Sequence, residues 1–182
     1  MTDRERSARF EELFGSYGAD IVAYCGWRTG SASDAQDAVA EVFLIAWRRL
    51  DDLPEGDGAR IWLYATARRV IANQRRSIRR RIALQERLAR EPVSAAEGPS
   101  GFDATVREAL SRLGPRDREV LLLAEWEGLS PAEIAAVIGC QPVTARGRLH
   151  RARRRFRVVF ESLVSSGKEE DHEQLGELRS PA

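Results

Sequence analysis

Apolar residues recur every three to four positions along most of this chain, which is the spacing of one face of an α-helix. No stretch shows the alternation of apolar and polar residues that is typical of a half-buried β-strand. The helical stretches are residues 10–27, 33–50, 60–82, 104–113, 115–126, 131–138 and 142–160. The pattern therefore predicts an all-α protein.

The helical pattern is interrupted over residues 91–101, which contain two prolines and two glycines. We therefore expect two small helical domains joined by a flexible linker. The first domain is predicted at 7–90, the linker at 91–104 and the second domain at 105–164. Residues 165–182 are rich in acidic side chains, which predicts a disordered tail.

The second domain contains the signals for two helices around a tight turn. Residues 130–133, Ser-Pro-Ala-Glu, form a capping box with proline at the first helical position, so a helix should begin there. Gly139 supplies the left-handed residue that ends this helix, and Pro142 opens the next one. Two short helices around a glycine turn are typical of a DNA-binding helix-turn-helix.

One face of the second of these helices is apolar and the other is basic. The core face consists of Ala145, Leu149, Ala152, Phe156 and Phe160. The opposite face consists of Val143, Gly147, His150, Arg151 and Arg154, flanked by Arg146 and Arg157. Residues 141–160 hold seven arginines and no acid, which favours a helix lying in a DNA groove. An ordinary helical hairpin with a solvated basic face is the alternative.

The helix predicted at 33–50 carries more apolar residues than one core face accommodates. Its core stripe is Ala35, Val39, Val42, Phe43, Ala46 and Leu50. The opposite face consists of Asp37, Glu41, Leu44 and Arg48, with Ile45 and Trp47 to either side. Six consecutive apolar residues, 42–47, cannot all face one core, so some should meet a partner protein or a neighbouring helix. Both interpretations remain open at this point.

The helix predicted from Arg60 carries an aromatic residue, an amide and spaced arginines on one face. Its core stripe is Leu63, Tyr64, Ala67, Val70, Ile71 and Ile78. The exposed stripe is Trp62, Thr66, Arg69, Asn73, Arg76 and Arg80. Guanidinium groups bind phosphates and flat rings stack on unstacked bases, so this face suits a nucleic-acid strand. The alternative is that Trp62 packs in the core and the arginines are merely solvated.

The net charge of +1 conceals two basic blocks, +9 over residues 60–90 and +7 over 141–160, each flanked by acidic sequence. Two such blocks indicate two contacts along one polyanion. The two cysteines and two histidines show no metal-ligand spacing, and no phosphate-binding glycine loop or paired nucleophile and base occurs. We therefore expect no cofactor, no metal and no enzymatic activity. Apolar runs such as 120–124 are too short to span a bilayer and the N-terminus lacks a signal-peptide core, which predicts a cytoplasmic protein.

Four sequence stretches together resemble one family. They are residues 34–44 (DAQDAVAEVFL), 61–68 (IWLYATAR), 129–135 (LSPAEIA) and 146–153 (RGRLHRAR). In this order and spacing they resemble the extracytoplasmic-function (group 4) bacterial RNA polymerase sigma factors of the sigma-70 family. The resemblance extends over residues 7–164. It implies that the first domain is sigma region 2 and that the second domain is the helix-turn-helix of sigma region 4.

The resemblance also implies partners and contact residues. The first domain would bind core RNA polymerase, through its beta and beta-prime subunits, and the minus-10 element of promoter DNA, while the second would bind the minus-35 element. The implied polymerase-binding residues are Asp37, Glu41, Leu44, Trp47 and Arg48. The implied minus-10 residues are Trp62, Thr66, Arg69, Asn73, Arg76 and Arg80. The implied minus-35 residues are Thr144, Arg146, Gly147, Arg148, His150, Arg151 and Arg154.

Three positions depart from the family pattern. Ala40 stands where the family often has Gln, Arg69 where it frequently has Asn, and Gly147 where it commonly has Ser. An anti-sigma protein is a further partner that the resemblance raises, and no insertion into a membrane is expected. The competing functional hypothesis is a stand-alone helix-turn-helix regulator that binds a palindromic DNA site as a dimer.

Overall fold

The computed structural model describes residues 2–86 and 104–177, with side chains described for 2–80 and 104–166. Within these ranges it contains helices and no strand, so the all-α prediction is confirmed. The helices are α1 (Asp3–Gly26), α2 (Ala32–Arg48), α3 (Asp57–Glu86), α4 (Ala104–Arg112), α5 (Pro115–Glu125), α6 (Pro131–Ile138) and α7 (Pro142–Glu177), with one 3-10 turn at Leu50–Asp52. Most of the linker predicted at 91–104 lies outside the described residues. None of the described helices has a stretch long and apolar enough to cross a membrane.

The chain divides into two compact units, of which the first contains α1, α2 and α3. Each of these three helices packs against the other two. Their shared core contains Ile21, Tyr24, Val42, Leu63 and Tyr64, all with no exposed surface. The rings of Tyr24 and Tyr64 lie 5.2 Å apart, between centroids. The unit is therefore a three-helix bundle with an aromatic pair at its centre.

Helix α1 begins seven residues earlier than the apolar pattern predicts. Thr2 and Glu5 form a capping box: the Glu5 carboxylate accepts from the Thr2 N–H (2.7 Å), and the Thr2 hydroxyl accepts from the Glu5 N–H (3.3 Å). The bond from the Thr2 backbone lowers the pKa of Glu5 below its ordinary value. The first turns of α1 are polar, so apolar periodicity alone does not reveal them.

Helix α2 begins at Ala32, one residue before the predicted stretch 33–50, and Ser31 is its N-cap. The Ser31 hydroxyl accepts from the Asp34 N–H at 3.0 Å. Within α2, Ala38 is fully buried, whereas Ala35 and Val39 of the predicted core stripe are only half-buried. The core face of α2 is therefore rotated slightly from the predicted one.

The core prediction for Ile78 in α3 is wrong, since 42% of this residue is exposed. The core contacts of α3 end near Ile71, and residues 75–80 are all exposed. Periodicity continues along a helix regardless of whether a neighbour covers it. The C-terminal half of α3 therefore extends beyond the helices that bury its N-terminal half.

The second compact unit contains α4, α5 and α7, and α7 packs against both of the others. Its core includes Ala109, Val120, Leu123, Leu149 and Ala152, which are almost completely buried. These residues come from three helices, so this unit also has its own core.

Helix α7 continues to Glu177, far beyond the end predicted at Phe160. The hydroxyls of Ser165 and Ser166 donate to the carbonyls of Glu161 and Ser162, four residues earlier, so these serines fit within the helix. Helix α7 thus includes residues 165–177 of the stretch for which the sequence predicts a disordered tail, and residues 178–182 lie outside the described part of the chain.

Candidate polymerase and nucleic-acid interfaces

The predicted polymerase-binding residues of α2 form one exposed surface. Asp37, Glu41, Leu44, Trp47 and Arg48 are all exposed, including 43% of Leu44 and 36% of Trp47. The core residues of the same helix lie on the opposite face. We call these five residues the α2 surface. Large apolar side chains beside charged ones are typical of a protein interface.

Trp47 is held in place by residues of α1. The ring of Phe10 meets the Trp47 ring edge-on at 5.2 Å, and the Arg6 guanidinium carbon lies 5.3 Å from the same ring. Arg6 also donates to the Trp47 carbonyl at 2.9 Å, where it caps the last turn of α2. The exposed indole is thus fixed in orientation, which lowers the entropy that a partner would have to remove.

The minus-10 residues predicted on α3 differ in exposure. Arg69, Asn73, Arg76 and Arg80 are exposed as predicted, but Trp62 is half-buried. Thr66 is only 4% exposed, so the prediction of an exposed Thr66 is wrong. The physical reason is that α3 contacts both α1 and α2, and five consecutive residues, 63–67, are therefore buried.

A groove of about 620 Å³ is lined by residues of both α2 and α3. It is lined by residues of both predicted surfaces, Asp37, Glu41 and Arg48 from α2 and Trp62, Thr66, Arg69 and Asn73 from α3, together with Ile45, Arg49, Val70 and Gln74. The Thr66 hydroxyl at this groove is buried and has no hydrogen-bond partner among the described residues. Such a group is costly unless a ligand or solvent satisfies it. The predicted polymerase and minus-10 surfaces are therefore contiguous.

The exposed part of α3 is strongly basic. Arg75 donates to the Arg28 carbonyl at 2.5 Å, and Arg76 donates to the Asn73 side-chain carbonyl. Arg69 and Arg80 have no ion pair with any residue in the described ranges. Their charges are available to phosphates.

The predicted helix-turn-helix is formed by α6 and α7. Its capping box is confirmed: the Glu133 carboxylate accepts from the Ser130 N–H at 2.7 Å, and the Ser130 hydroxyl accepts from the Glu133 N–H at 3.3 Å. Gly139 has a φ of +73°, the left-handed conformation predicted for it. The Cys140 N–H donates to the Ala135 carbonyl at 2.9 Å, which closes the turn before α7.

The exposed face of α7 carries the predicted minus-35 residues. Arg146, His150, Arg151 and Arg154 are exposed. Thr144, Gly147 and Arg148 are half-buried. Ala145, Leu149 and Ala152 of the predicted core stripe are buried, while Phe156 and Phe160 are half-buried and stack on each other with centroids 5.7 Å apart.

Acidic residues of α5 neutralise part of the positive charge of α7. Arg153 forms an ion pair with Glu125 at 2.7 Å, and Arg155 forms one with Asp117. Counting charges along α7 alone missed these pairs, because the acids lie 28 and 38 residues away in sequence. Arg151 and Arg154 have no ion pair with a described residue. The tertiary structure therefore distinguishes arginines that hold α7 on α5 from arginines that have no ion pair with a described residue.

The Arg151 side chain lies beside Gly147. A Cβ atom at Gly147 would lie 3.5 Å from one Arg151 Nη atom, which is ordinary van der Waals contact. The guanidinium group thus lies along the helix surface above Gly147.

Sequence analysis missed a set of contacts between α1 and residues 49–56, the segment that joins α2 to α3. Arg6 forms an ion pair with Asp51 at 2.5 Å, Arg9 donates to the Leu53 carbonyl at 3.1 Å, and Tyr17 donates to the Gly56 carbonyl at 3.1 Å. The partners are about forty residues apart in sequence. The sequence indicates these contacts only through the helical spacing of Arg6, Arg9 and Tyr17, which places the three side chains on one side of α1.

Two family models match the two predicted domains. Residues 13–81 match Sigma-70 region 2, and residues 104–156 match Sigma-70, region 4. Together they include α2, most of α1 and α3, and the helix-turn-helix. This combination does not favour a stand-alone regulator.

Curated relatives carry the same description. The chain is 30% identical over 162 residues, 86% of its length and 92% of the relative's, to the ECF RNA polymerase sigma factor SigL of Mycobacterium tuberculosis. It is 31% identical over 137 residues to the ECF RNA polymerase sigma factor BldN of Streptomyces coelicolor, covering 71% of this chain and 52% of that protein.

Solved structures of low sequence identity share the fold. The sigma factor RpoE of Bartonella quintana, solved with the anti-sigma factor NepR, has a TM-score of 0.69 at 24% identity and covers 84% of this chain and 96% of its own. CnrH, solved with the cytosolic domain of CnrY, has a TM-score of 0.61 at 23% identity and covers 84% and 88%. With both region models and a full-length relative in agreement, the chain belongs to the extracytoplasmic-function sigma factors of the sigma-70 family.

Proposed function

We propose that this sigma factor binds core RNA polymerase through the α2 surface and reads promoter DNA with two helices, α3 at the minus-10 element and α7 at the minus-35 element. The observation that carries the proposal is the presence of two exposed basic helix faces in two separate compact units. Two units joined by a linker can bind two sites on one DNA molecule at once, which raises the effective affinity of each.

The α2 surface is proposed as the polymerase contact because it combines exposed apolar and charged side chains. Leu44 and Trp47 supply apolar area, while Asp37, Glu41 and Arg48 supply charges that select a partner and orient it. A DNA surface would not require exposed Leu and Trp side chains next to two acids. The beta and beta-prime subunits of core polymerase are therefore the proposed partners of this face.

Helix α3 is proposed to engage the minus-10 element as an opened strand. Arg69, Arg76 and Arg80 can bind phosphates, and Asn73 offers an amide to a base edge. The half-buried Trp62 and the unsatisfied Thr66 hydroxyl lie at the same groove. Arg69, where the family frequently has Asn, replaces an amide with a longer charged group and should change which bases are preferred.

Helix α7 is proposed to lie in the major groove of the minus-35 element. The N-terminal half of a groove-docked helix reaches the bases, and Arg146, Gly147, His150 and Arg151 occupy that half. Thr144 and Arg148 are half-buried on its flanks. Arg154 lies one turn further along, where such helices meet the backbone.

The chain is proposed to act in the cytoplasm, without catalytic chemistry of its own. Core polymerase would supply the catalysis, and this chain would supply binding and positioning. An anti-sigma factor is included among the proposed partners, because the similar structures of RpoE and CnrH contain partner proteins and the α2 surface is exposed.

In vitro transcription tests the proposal. The full chain is combined with core polymerase and a genomic fragment library, and transcript start sites are mapped. We expect starts at fragments sharing minus-10 and minus-35 elements, and no starts from core polymerase alone. A chain that binds palindromic DNA as a dimer without polymerase and supports no initiation would contradict the proposal.

A further inference from the structure

Helix α1 holds the segment 49–56, which joins α2 to α3, by polar contacts along one face. Arg6, Arg9 and Tyr17 are spaced by three and eight residues, which aligns them on one side of a helix. They bind Asp51, the Leu53 carbonyl and the Gly56 carbonyl in order along the segment 49–56. Three successive points of this connection are thus tied to one rigid element.

Apolar packing alone does not fix the distance between α1 and this connection. Leu50 and Leu53 are buried, but a pocket of about 480 Å³ remains between α1 and the connection, lined by Arg9 and Tyr17 among others. Close-packed side chains determine geometry by excluding alternatives, and an open pocket excludes few. The hydrogen bonds beside the pocket therefore add to the buried Leu50 and Leu53 in determining where the connection lies.

The connection in turn sets the start of α3. Gly56 has a φ of +56°, and a Cβ atom at Gly58 would lie only 2.8 Å from Pro54 Cβ. The chain is therefore tightly packed where it enters α3. A further ion pair, between Arg60 of α3 and Asp20 of α1 at 3.6 Å, continues the same line of contacts.

We propose that Arg9 and Tyr17, supported by Arg6, are positioning residues for minus-10 recognition. They hold the 49–56 connection, and through it the first turn of α3, in the orientation in which α3 engages the opened strand. None of the three needs to touch DNA for this role. The inference rests on the proposed function of α3.

The test scores base preference at the two promoter elements separately. Wild type, Arg9→Ala, Tyr17→Phe and the double variant are transcribed with core polymerase on two libraries, one randomised at minus-10 and one at minus-35. We expect each single variant to lose about two- to tenfold of its discrimination at minus-10, the range that one hydrogen bond supports. Discrimination at minus-35 should match wild type, and the melting temperature of each single variant should fall by no more than a few degrees.

Two control variants accompany these. Arg4→Ala removes an exposed arginine from the same helix and should leave both preferences unchanged. Arg9→Lys keeps a donor on a long side chain and should retain most of the minus-10 preference that Arg9→Ala loses.

Three outcomes would overturn the assignment in distinguishable ways. Unchanged minus-10 preference in the double variant would show that the bonds do not position α3. Equal losses at both elements with a lowered melting temperature would show general destabilisation instead of positioning. A wild-type chain without preference at either element would overturn the proposed function, and this inference with it.

Discussion

The N-terminal and C-terminal units are both small helical bundles with a basic helix on the surface, yet their contact faces differ in chemistry. The α2 surface contains Leu44 and Trp47 among charges, and the neighbouring groove contains the buried Thr66 hydroxyl. The seven residues predicted to read DNA on α7 include no large apolar side chain. A mixed face suits a protein partner and a polar cationic one suits DNA. Under the proposed function, the N-terminal unit would contact both a protein and DNA through these faces, and the α7 face would contact DNA.

Each of the two basic helices has arginines in two roles. Arg153 and Arg155 of α7 pair with acids of α5, and Arg60 of α3 pairs with Asp20 of α1, whereas Arg69 and Arg80 of α3 have no ion pair within the described ranges. The number of arginines on a helix therefore does not distinguish those that hold the helix on its neighbours from those that can bind a polyanion. Substitutions that separate these roles test the difference between the units.

The largest expected effect is on the α2 surface. Leu44→Asp places a charge where an apolar contact is proposed, and should weaken binding to core polymerase by about 3 kcal/mol or more, on the order of a hundredfold. Glu41→Arg should also abolish co-purification. Because both residues lie opposite the core, the melting temperature should not change.

The matched control for Leu44→Asp is Val22→Asp on α1, where 52% of the residue is exposed. This variant should bind polymerase as wild type does. If Leu44→Asp also retains wild-type affinity in a titration, the α2 surface is not the polymerase contact and the two units no longer differ in this way.

A second effect separates two arginines of α7. Arg151→Ala should lower the discrimination between intact and mutated minus-35 elements by about 1–3 kcal/mol, because a base-reading arginine carries sequence information. Arg154→Ala should weaken all elements alike and reduce the salt slope of binding by roughly one unit. The measurement is transcription across a minus-35 library at two salt concentrations. A uniform decrease for Arg151→Ala would assign that residue to the backbone instead.

A third, smaller effect concerns the buried hydroxyl of α3. Thr66→Val replaces an unsatisfied polar atom with a methyl group of similar shape, and should raise the free energy of unfolding by about 1 kcal/mol. Open-complex formation, followed by permanganate footprinting, should fall at the same time. Denaturant titration supplies the stability value. A gain in stability with unaltered footprints would mean that the hydroxyl plays no part in binding the opened strand.

The smallest effect is expected for the ion pair between α7 and α5. Arg153 and Glu125 are both about half exposed, so Arg153→Ala should lower the free energy of unfolding by only about 0.2–1 kcal/mol. Minus-35 preference should be unchanged. A double-mutant cycle with Glu125→Gln isolates the pair. Loss of preference in Arg153→Ala at wild-type stability would instead make Arg153 a DNA contact, and the division of arginines on α7 would fail.

Local patterns in the sequence predict the helical elements, the helix-turn-helix with its capping box and left-handed Gly139, and the exposed stripe of α2. These follow from local rules: periodicity, capping and glycine conformation depend on residues within a few positions of each other. Helix ends were less well predicted, because a capped polar turn such as the first turn of α1 has no apolar signal.

Which side chains on those helices are exposed depends on tertiary contacts, which local patterns do not reveal. Thr66 is buried because α3 packs against α1 and α2, and Ile78 is exposed because α3 extends beyond both of these helices. Arg153 donates to the Glu125 carboxylate, 28 residues away in sequence, and Tyr17 donates to the Gly56 carbonyl, 39 residues away. Periodicity shows which face of a helix a residue occupies, but it does not show what covers that face, since the covering residues come from distant parts of the chain.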